Sequence, residues 1–160
     1  MTVAFDDPLA LAPAPGDLRD DARRRYVTRL ARQRLHQAAF RERVLLAYRR
    51  SCSMCRLHHE ELLDAAHILP DAHPLGLPTV SNGLALCMLH HAAFDVNIVG
   101  VRPDLVLDVR HDGLAEIDGP MLQHGLQGLQ GNHLVVPHAP TNRPNPSFLE
   151  ERYELFRQAG

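Results

Sequence analysis

The rhythm of hydrophobic and polar positions changes several times along the chain, and each change marks the edge of an expected element. Residues 18–48 contain neither Pro nor Gly. Within them Val27, Leu30, Ala31, Leu35 and Ala38, then Phe40, Val44 and Tyr48, recur at helical spacing with a shift of phase near residue 39. This predicts one bent helix or two consecutive ones. Residues 1–16 carry Pro8, Pro13, Pro15 and Gly16 and are expected to form a flexible arm, with structure beginning near Asp17. Over residues 52–70 the pattern predicts a turn and then an extended segment, because Leu62, Leu63 and Ile68 bracket polar residues without a helical repeat. Residues 70–82, punctuated by Pro70, Pro74, Gly76 and Pro78, predict a loop.

Leu84, Leu86, Cys87, Ala92 and Phe94 fit a short helix over residues 83–94, capped by Ser81 or Asn82. The apolar residues from Val99 to Val109 flank Arg102-Pro103-Asp104 and predict a β-hairpin. Residues 111–146, rich in Gly and Pro, predict loop with some short strand. A last helix should follow Asn145-Pro146, with Ser147 and Glu150 as a capping box and Phe148, Leu149, Tyr153, Leu155 and Phe156 available to pack.

Composition narrows the class. A chain of 160 residues with 45% hydrophobic content suits one folded unit. No stretch approaches the roughly 20 apolar residues of a membrane span, and the start lacks the basic head and apolar run of a signal peptide. The expectation is a soluble, cytoplasmic protein with no membrane partner. The net charge of −2 conceals a segregation: residues 17–50 hold eleven arginines against four acids, whereas residues 51–160 hold six against thirteen. A basic segment displaces counterions from a polyanion whatever the total charge. The arginines fall mostly between the apolar positions, so a solvated helix face and a DNA-contacting face are both open. Arg34, Arg41, Arg49 and Arg50 are the candidate DNA contacts.

Only three cysteines occur. Cys52 and Cys55 are separated by two residues, which brings both sulfurs to one side of a turn, and Cys87 and His90 repeat that spacing. Together they supply a closed tetrahedral set for structural zinc. A redox pair would want a helix N-terminus in a βαβ setting, which the residues around Cys52 do not offer. His58, His59 and His91 are alternatives to His90 at this point. Six of the eleven histidines lie between residues 58 and 91, an unusual concentration of titratable rings.

The run Asp64-Ala-Ala-His67-Ile-Leu-Pro70, then Asn82-Gly-Leu-Ala-Leu-Cys87-Met-Leu-His90-His91-Ala-Ala-Phe-Asp95, resembles the HNH endonuclease family. The likeness rests on a first His ending an extended segment, an Asn opening the next helix, and a second His just after the second metal-binding pair. His67, Asn82 and His91 fill those places. Arg34-Leu-His-Gln-Ala-Ala-Phe-Arg41, Asp118-Gly-Pro120 and Arg143-Pro-Asn-Pro146 widen the resemblance to the HNH modules of McrA-type, modification-dependent restriction enzymes, over roughly residues 26–157.

The resemblance implies an α+β fold: a zinc-stapled ββα-metal finger over residues 52–95, with N-terminal helices before it and a C-terminal helix after it. Residues 17–160 would form a single nuclease domain, with a basic helical segment over 17–50 and hairpin, loops and helix over 96–160. It also implies metal-dependent hydrolysis of DNA phosphodiesters, related to restriction. His67 would be the general base, Asn82 would orient it or its loop, and His91 would bind Mg²⁺ or Mn²⁺. Asp95, one helical turn on, would supply a hard oxygen. The family often has a metal ligand just before the base, where this chain has Ala66, so Asp64 becomes a further candidate. Double-stranded DNA is the expected substrate, with a homodimer and a separate modified-base reader as possible partners.

A non-catalytic zinc module binding DNA is the main rival, but it gives no reason for the order and spacing of His67, Asn82 and His91. A zinc deaminase would pair His-x-Glu with a later Pro-Cys-x-x-Cys, and neither is present.

Overall fold

The computed structural model describes residues 15–117 and 119–160, with side chains from residue 19 onward. The expected N-terminal arm lies outside the described residues except for Pro15 and Gly16, which open the first helix instead. That helix, α1, spans Pro15–Ala47 as one element rather than two. The chain divides within it into a unit ending at Leu35 and a unit comprising His36–Gly160. In the first, residues 19–35 are all exposed, so Val27, Leu30 and Leu35 form no core. In the second, Phe40, Val44, Leu45 and Tyr48 are buried, which accounts for the phase change near residue 39.

The helix stops on two arginines in left-handed backbone, Arg49 at φ 55° and Arg50 at φ 51°, whose N–H groups bond back to Leu46 and Leu45 at 3.0 and 2.7 Å. Such a conformation costs a non-glycine residue about 1–2 kcal/mol. Arg50 offsets part of that by pairing with Glu42 and Glu60.

After a turn at residues 53–55, β1 (Leu63–His67) pairs antiparallel with β2 (Gly83–Cys87), with His67 opposite Gly83 and Leu63 opposite Cys87. The helix expected over residues 83–94 is therefore corrected. Its first five residues are strand, and only α2 (Met88–Asp95) is helical. Every residue of β2 is buried, and a strand covered on both faces reads as a continuous apolar run that periodicity cannot tell from a helix. Helix α2 packs on both strands, completing a ββα finger.

Gly83 permits the fit of α1 to this sheet, because a Cβ there would stand 2.5 Å from Val44 Cγ2 and 3.0 Å from Phe40 Cζ. The Tyr48 hydroxyl donates to the Gly83 carbonyl at 3.1 Å, fixing the same junction.

The predicted hairpin is present as β3 (Val99–Val101) and β4 (Leu107–Val109), antiparallel. The expected short strand in the following region reduces to a bridge between His133 and Val106. That region also contains α3 (His111–Ala115) and α4 (Pro120–Gly125), where loop was expected. The Gln127 side-chain amide lies 2.8–3.3 Å from the carbonyls of Gly113, Leu114 and Glu116. It caps the end of α3 from outside the local sequence, where composition gives no signal.

Helix α5 (Pro146–Ala159) closes the fold against β3. Its cap is Asn145, whose Oδ1 accepts from the Ser147 N–H at 2.9 Å, so the capping box expected at Ser147 starts two residues late. Leu149 and Phe156 are buried, whereas Leu155 is half exposed. Mixed helix and short strands with a Cys₃His cluster agree with the expected α+β class.

Candidate active site and metal centre

The turn before β1 is stitched to β2: the Ser53 N–H and hydroxyl both donate to the Ala85 carbonyl, at 2.8 and 2.9 Å. This brings Cys52 and Cys55 beside Cys87, at the end of β2, and His90, in α2. Their four ligand atoms lie within 4.8 Å of one another. Tetrahedral zinc, with Zn–S about 2.3 Å and Zn–N about 2.0 Å, would separate two sulfurs by about 3.8 Å and sulfur from nitrogen by about 3.5 Å. Cys55 and Cys87 sulfurs stand 3.9 Å apart, and His90 Nδ1 is 3.5 Å from Cys52 Sγ and 3.3 Å from Cys87 Sγ. The residues fit the ion.

His90 Nε2 lies 2.7 Å from the Gly125 carbonyl, which can only accept. The ring proton therefore sits on Nε2 and leaves the Nδ1 lone pair facing the sulfurs, the outer-shell arrangement typical of metal-bound histidine. Among the described residues no other histidine joins this group, so His90 takes the place for which His58, His59 and His91 were alternatives. Hydrogen bonding from Cys87 and His90 holds the Cys52 thiol far below its ordinary pKa, at about 3, against the opposing effect of burial. The Cys87 thiol, hydrogen-bonded to Cys52 and partly buried, is pushed up.

A separate cleft of about 630 Å³ is lined by Arg41, Asp64, His67, Asp71, His91, Asp95 and Arg152 among others. His67, at the end of β1, stacks on Phe40 with ring centroids 4.0 Å apart. Its Nε2 is buried and faces Asp71 Oδ1 at 3.3 Å without hydrogen-bond alignment. Burial holds the His67 pKa below its ordinary value, aided by His91 and opposed by Asp71, Asp64 and Asp95.

His91 stands between two carboxylates: Nε2 is 3.4 Å from Asp95 Oδ2, and Nδ1 is 3.7 Å from Asp64 Oδ2. Ala66 is fully buried, so the position before His67 belongs to the core while Asp64, two residues earlier, reaches the cleft. Asp64 Oδ1 accepts from the Ala65 N–H at 2.8 Å and lies 3.6 Å from Arg41 Nε.

Asn82 does not open a helix, as expected, but ends the short 3-10 turn Val80–Asn82 ahead of β2. It is fully buried. Its Oδ1 accepts from the Leu69 N–H at 2.9 Å, and its Nδ2 donates to the carbonyls of Leu69 and Leu77 at 3.0 and 3.1 Å. The amide thus ties both ends of the loop that follows His67 and carries Asp71. Asn82→Ala is expected to lower stability by about 1–3 kcal/mol, because it strands these backbone groups without partners. Urea unfolding checks this, and a midpoint equal to wild type would show that the loop does not depend on the amide.

The four candidate arginines are dispersed. Arg41 lines the cleft and donates to the carbonyls of Glu60 and Leu63 at 3.1 and 2.9 Å. Arg50 is committed to its two glutamates, Arg49 is exposed, and Arg34 belongs to the exposed N-terminal unit. Sequence reasoning missed Asp71, Phe40 and Arg152. Asp71 offered one signal, its position four residues after His67, but the intervening Pro70 hides it.

A finger of two antiparallel strands and a helix, with a Cys₃His cluster that could hold a metal ion and two histidines lining an acidic cleft, defines a class. Residues 52–102, about a third of the chain, match the family model described as HNH endonuclease. Among solved structures, it resembles a modification-dependent TagI restriction endonuclease, with TM-score 0.51 and 18% identity over 74% of this chain and 37% of that one. At that identity the likeness is one of fold, and the chain spans just over a third of the other protein's length. No curated protein matches the sequence. Among the described residues, no helix is long and apolar enough to cross a membrane.

Proposed function

We propose that this chain hydrolyses DNA phosphodiester bonds in a metal-dependent reaction, with His67 as general base. The observation that carries the reading is the convergence of His67, His91, Asp64 and Asp95 on one cleft. The Nε2 of His67, sealed from solvent and turned to the Asp71 carboxylate, is the nitrogen that keeps the proton in the neutral ring. Its Nδ1 lone pair is then free to accept a proton from water. Phe40 and the loop tied by Asn82 hold the ring in place.

His91, with Asp95 or Asp64, is the set that would hold Mg²⁺ or Mn²⁺, and Cys52, Cys55, Cys87 and His90 would hold structural zinc. A divalent cation at the first set would polarise the phosphoryl oxygen and stabilise the leaving oxygen. Arg34, Arg41, Arg49 and Arg50 are proposed to contact the DNA backbone. The McrA-type features and the fold shared with a modification-dependent enzyme support a role in restriction, with modified bases read by a separate domain or subunit. One finger addresses one strand, so cutting both strands calls for two copies of the chain.

The test is supercoiled plasmid, methylated and unmethylated, incubated with the purified protein with Mg²⁺, with Mn²⁺ and with neither. Nicking or linearisation that requires the added metal is expected. Plasmid that is retarded but never cut in any condition would reduce the chain to a DNA-binding zinc module.

A further inference from the structure

The candidate cleft has little free positive charge. Asp64, Asp71 and Asp95 all line it, and Arg41 is engaged with Asp64 and two carbonyls. Arg152 enters from α5, on the far side in sequence. Its Nη2 donates to the Phe94 carbonyl at 2.6 Å and lies 3.3 Å from that of Asp95, and its guanidinium lies 4.7 Å from the centroid of the Phe94 ring. Both acceptors are at the C-terminal end of α2, where the helix dipole favours a cation.

Among the described residues no carboxylate lies within direct ion-pair distance of Arg152, Asp95 acting on it only through space, and its described hydrogen bonds all come from Nη2. Burial holds its pKa below the ordinary value, though an arginine so placed remains charged. A partly desolvated guanidinium that feels its nearest carboxylate, Asp95, only through space gains from an anion that meets it directly.

We propose that Arg152 is a phosphate-binding residue of the cleft, meeting a DNA backbone phosphate next to the bond that His67 and His91 address. The inference rests on the DNA-cleaving reading of the same cleft. The Phe94 ring and the two carbonyls fix one edge of the guanidinium and leave planar donors for a second, anionic partner. The acidic cleft gives this charge a purpose, because three carboxylates would otherwise repel the strand. The competing account is a structural pin between α5 and α2, and the two roles predict different salt behaviour.

The experiment measures duplex affinity by fluorescence anisotropy over a range of salt, without added divalent metal, in a His67→Ala background that does not cut. Arg152→Gln is expected to weaken binding about tenfold at low salt and to flatten the dependence of log affinity on log salt by about one. Arg152→Lys should restore the slope. A pin would lower the melting temperature and leave the slope untouched, which overturns the proposal.

If the glutamine variant does not fold, duplexes carrying single neutral methylphosphonate linkages replace it. One linkage should weaken binding and erase the difference between Arg152 and its lysine variant, and failure of every linkage to do so also overturns the proposal. Wild-type protein that never cuts plasmid, combined with an Arg152-dependent slope, would remove the nuclease reading and leave the phosphate site standing.

Discussion

Cys52→Ala is expected to abolish the cooperative unfolding transition at ambient temperature. Structural zinc contributes about 10–16 kcal/mol of apparent binding free energy in small fingers, whereas a whole domain is stable by about 5–15 kcal/mol. Loss of a ligand therefore removes about as much free energy as the fold possesses. Here the effect concentrates in the core, because Cys52 is fully buried and the adjoining Ser53 fastens the knuckle to β2. Circular dichroism on heating, for the variant and for wild type with and without chelator, makes the comparison. A wild-type melting temperature that ignores the chelator would mean that no metal holds the finger. His90→Cys should retain metal, since a thiolate serves equally well as the fourth ligand.

His67→Ala is expected to lower the cleavage rate by about 10²–10⁴-fold, the usual contribution of a positioned general base, while leaving DNA affinity close to wild type. The pH profile supplies an independent check. Only the neutral ring can accept a proton, so the rate should fall as pH drops through the His67 pKa and stay level above it. Burial places that pKa below its ordinary 6.5, with the three nearby carboxylates pulling the other way. The acid limb should accordingly have its midpoint below 6.5. A midpoint above that value, or a variant that retains its rate, would assign the proton to another group.

Groups whose geometry is set by local spacing could be read in advance. Cys52 and Cys55 lie on one turn, and His91 and Asp95 lie one helical turn apart, so short-range rules place each pair without knowledge of the fold. The secondary structure of residues 83–87 was not legible, because Gly-Leu-Ala-Leu-Cys satisfies a helix as well as a doubly covered strand until β1 pairs with it. Phe40 and Arg152 escaped for a related reason. Phe40 has the spacing of an ordinary core residue, yet its ring packs on His67, which is 27 positions away. Arg152 joins α2 across 58 positions, and nothing in the amphipathic pattern of the last helix distinguishes it from a surface arginine.

Two long-range hydrogen bonds bear on how this finger could be moved between proteins. The Gly125 carbonyl meets the ring of His90 at 2.7 Å, and the Val135 N–H donates to the Ser53 carbonyl at 2.8 Å. Both partners lie beyond residue 102, where the family match ends. A transplant that copied only the matched residues would carry all four cluster ligands yet leave a histidine tautomer unset and a knuckle carbonyl unpaired. The portable unit extends at least to Val135, so insertions between α3 and the bridge residue His133 are constrained by the Cys₃His cluster as well as by the core.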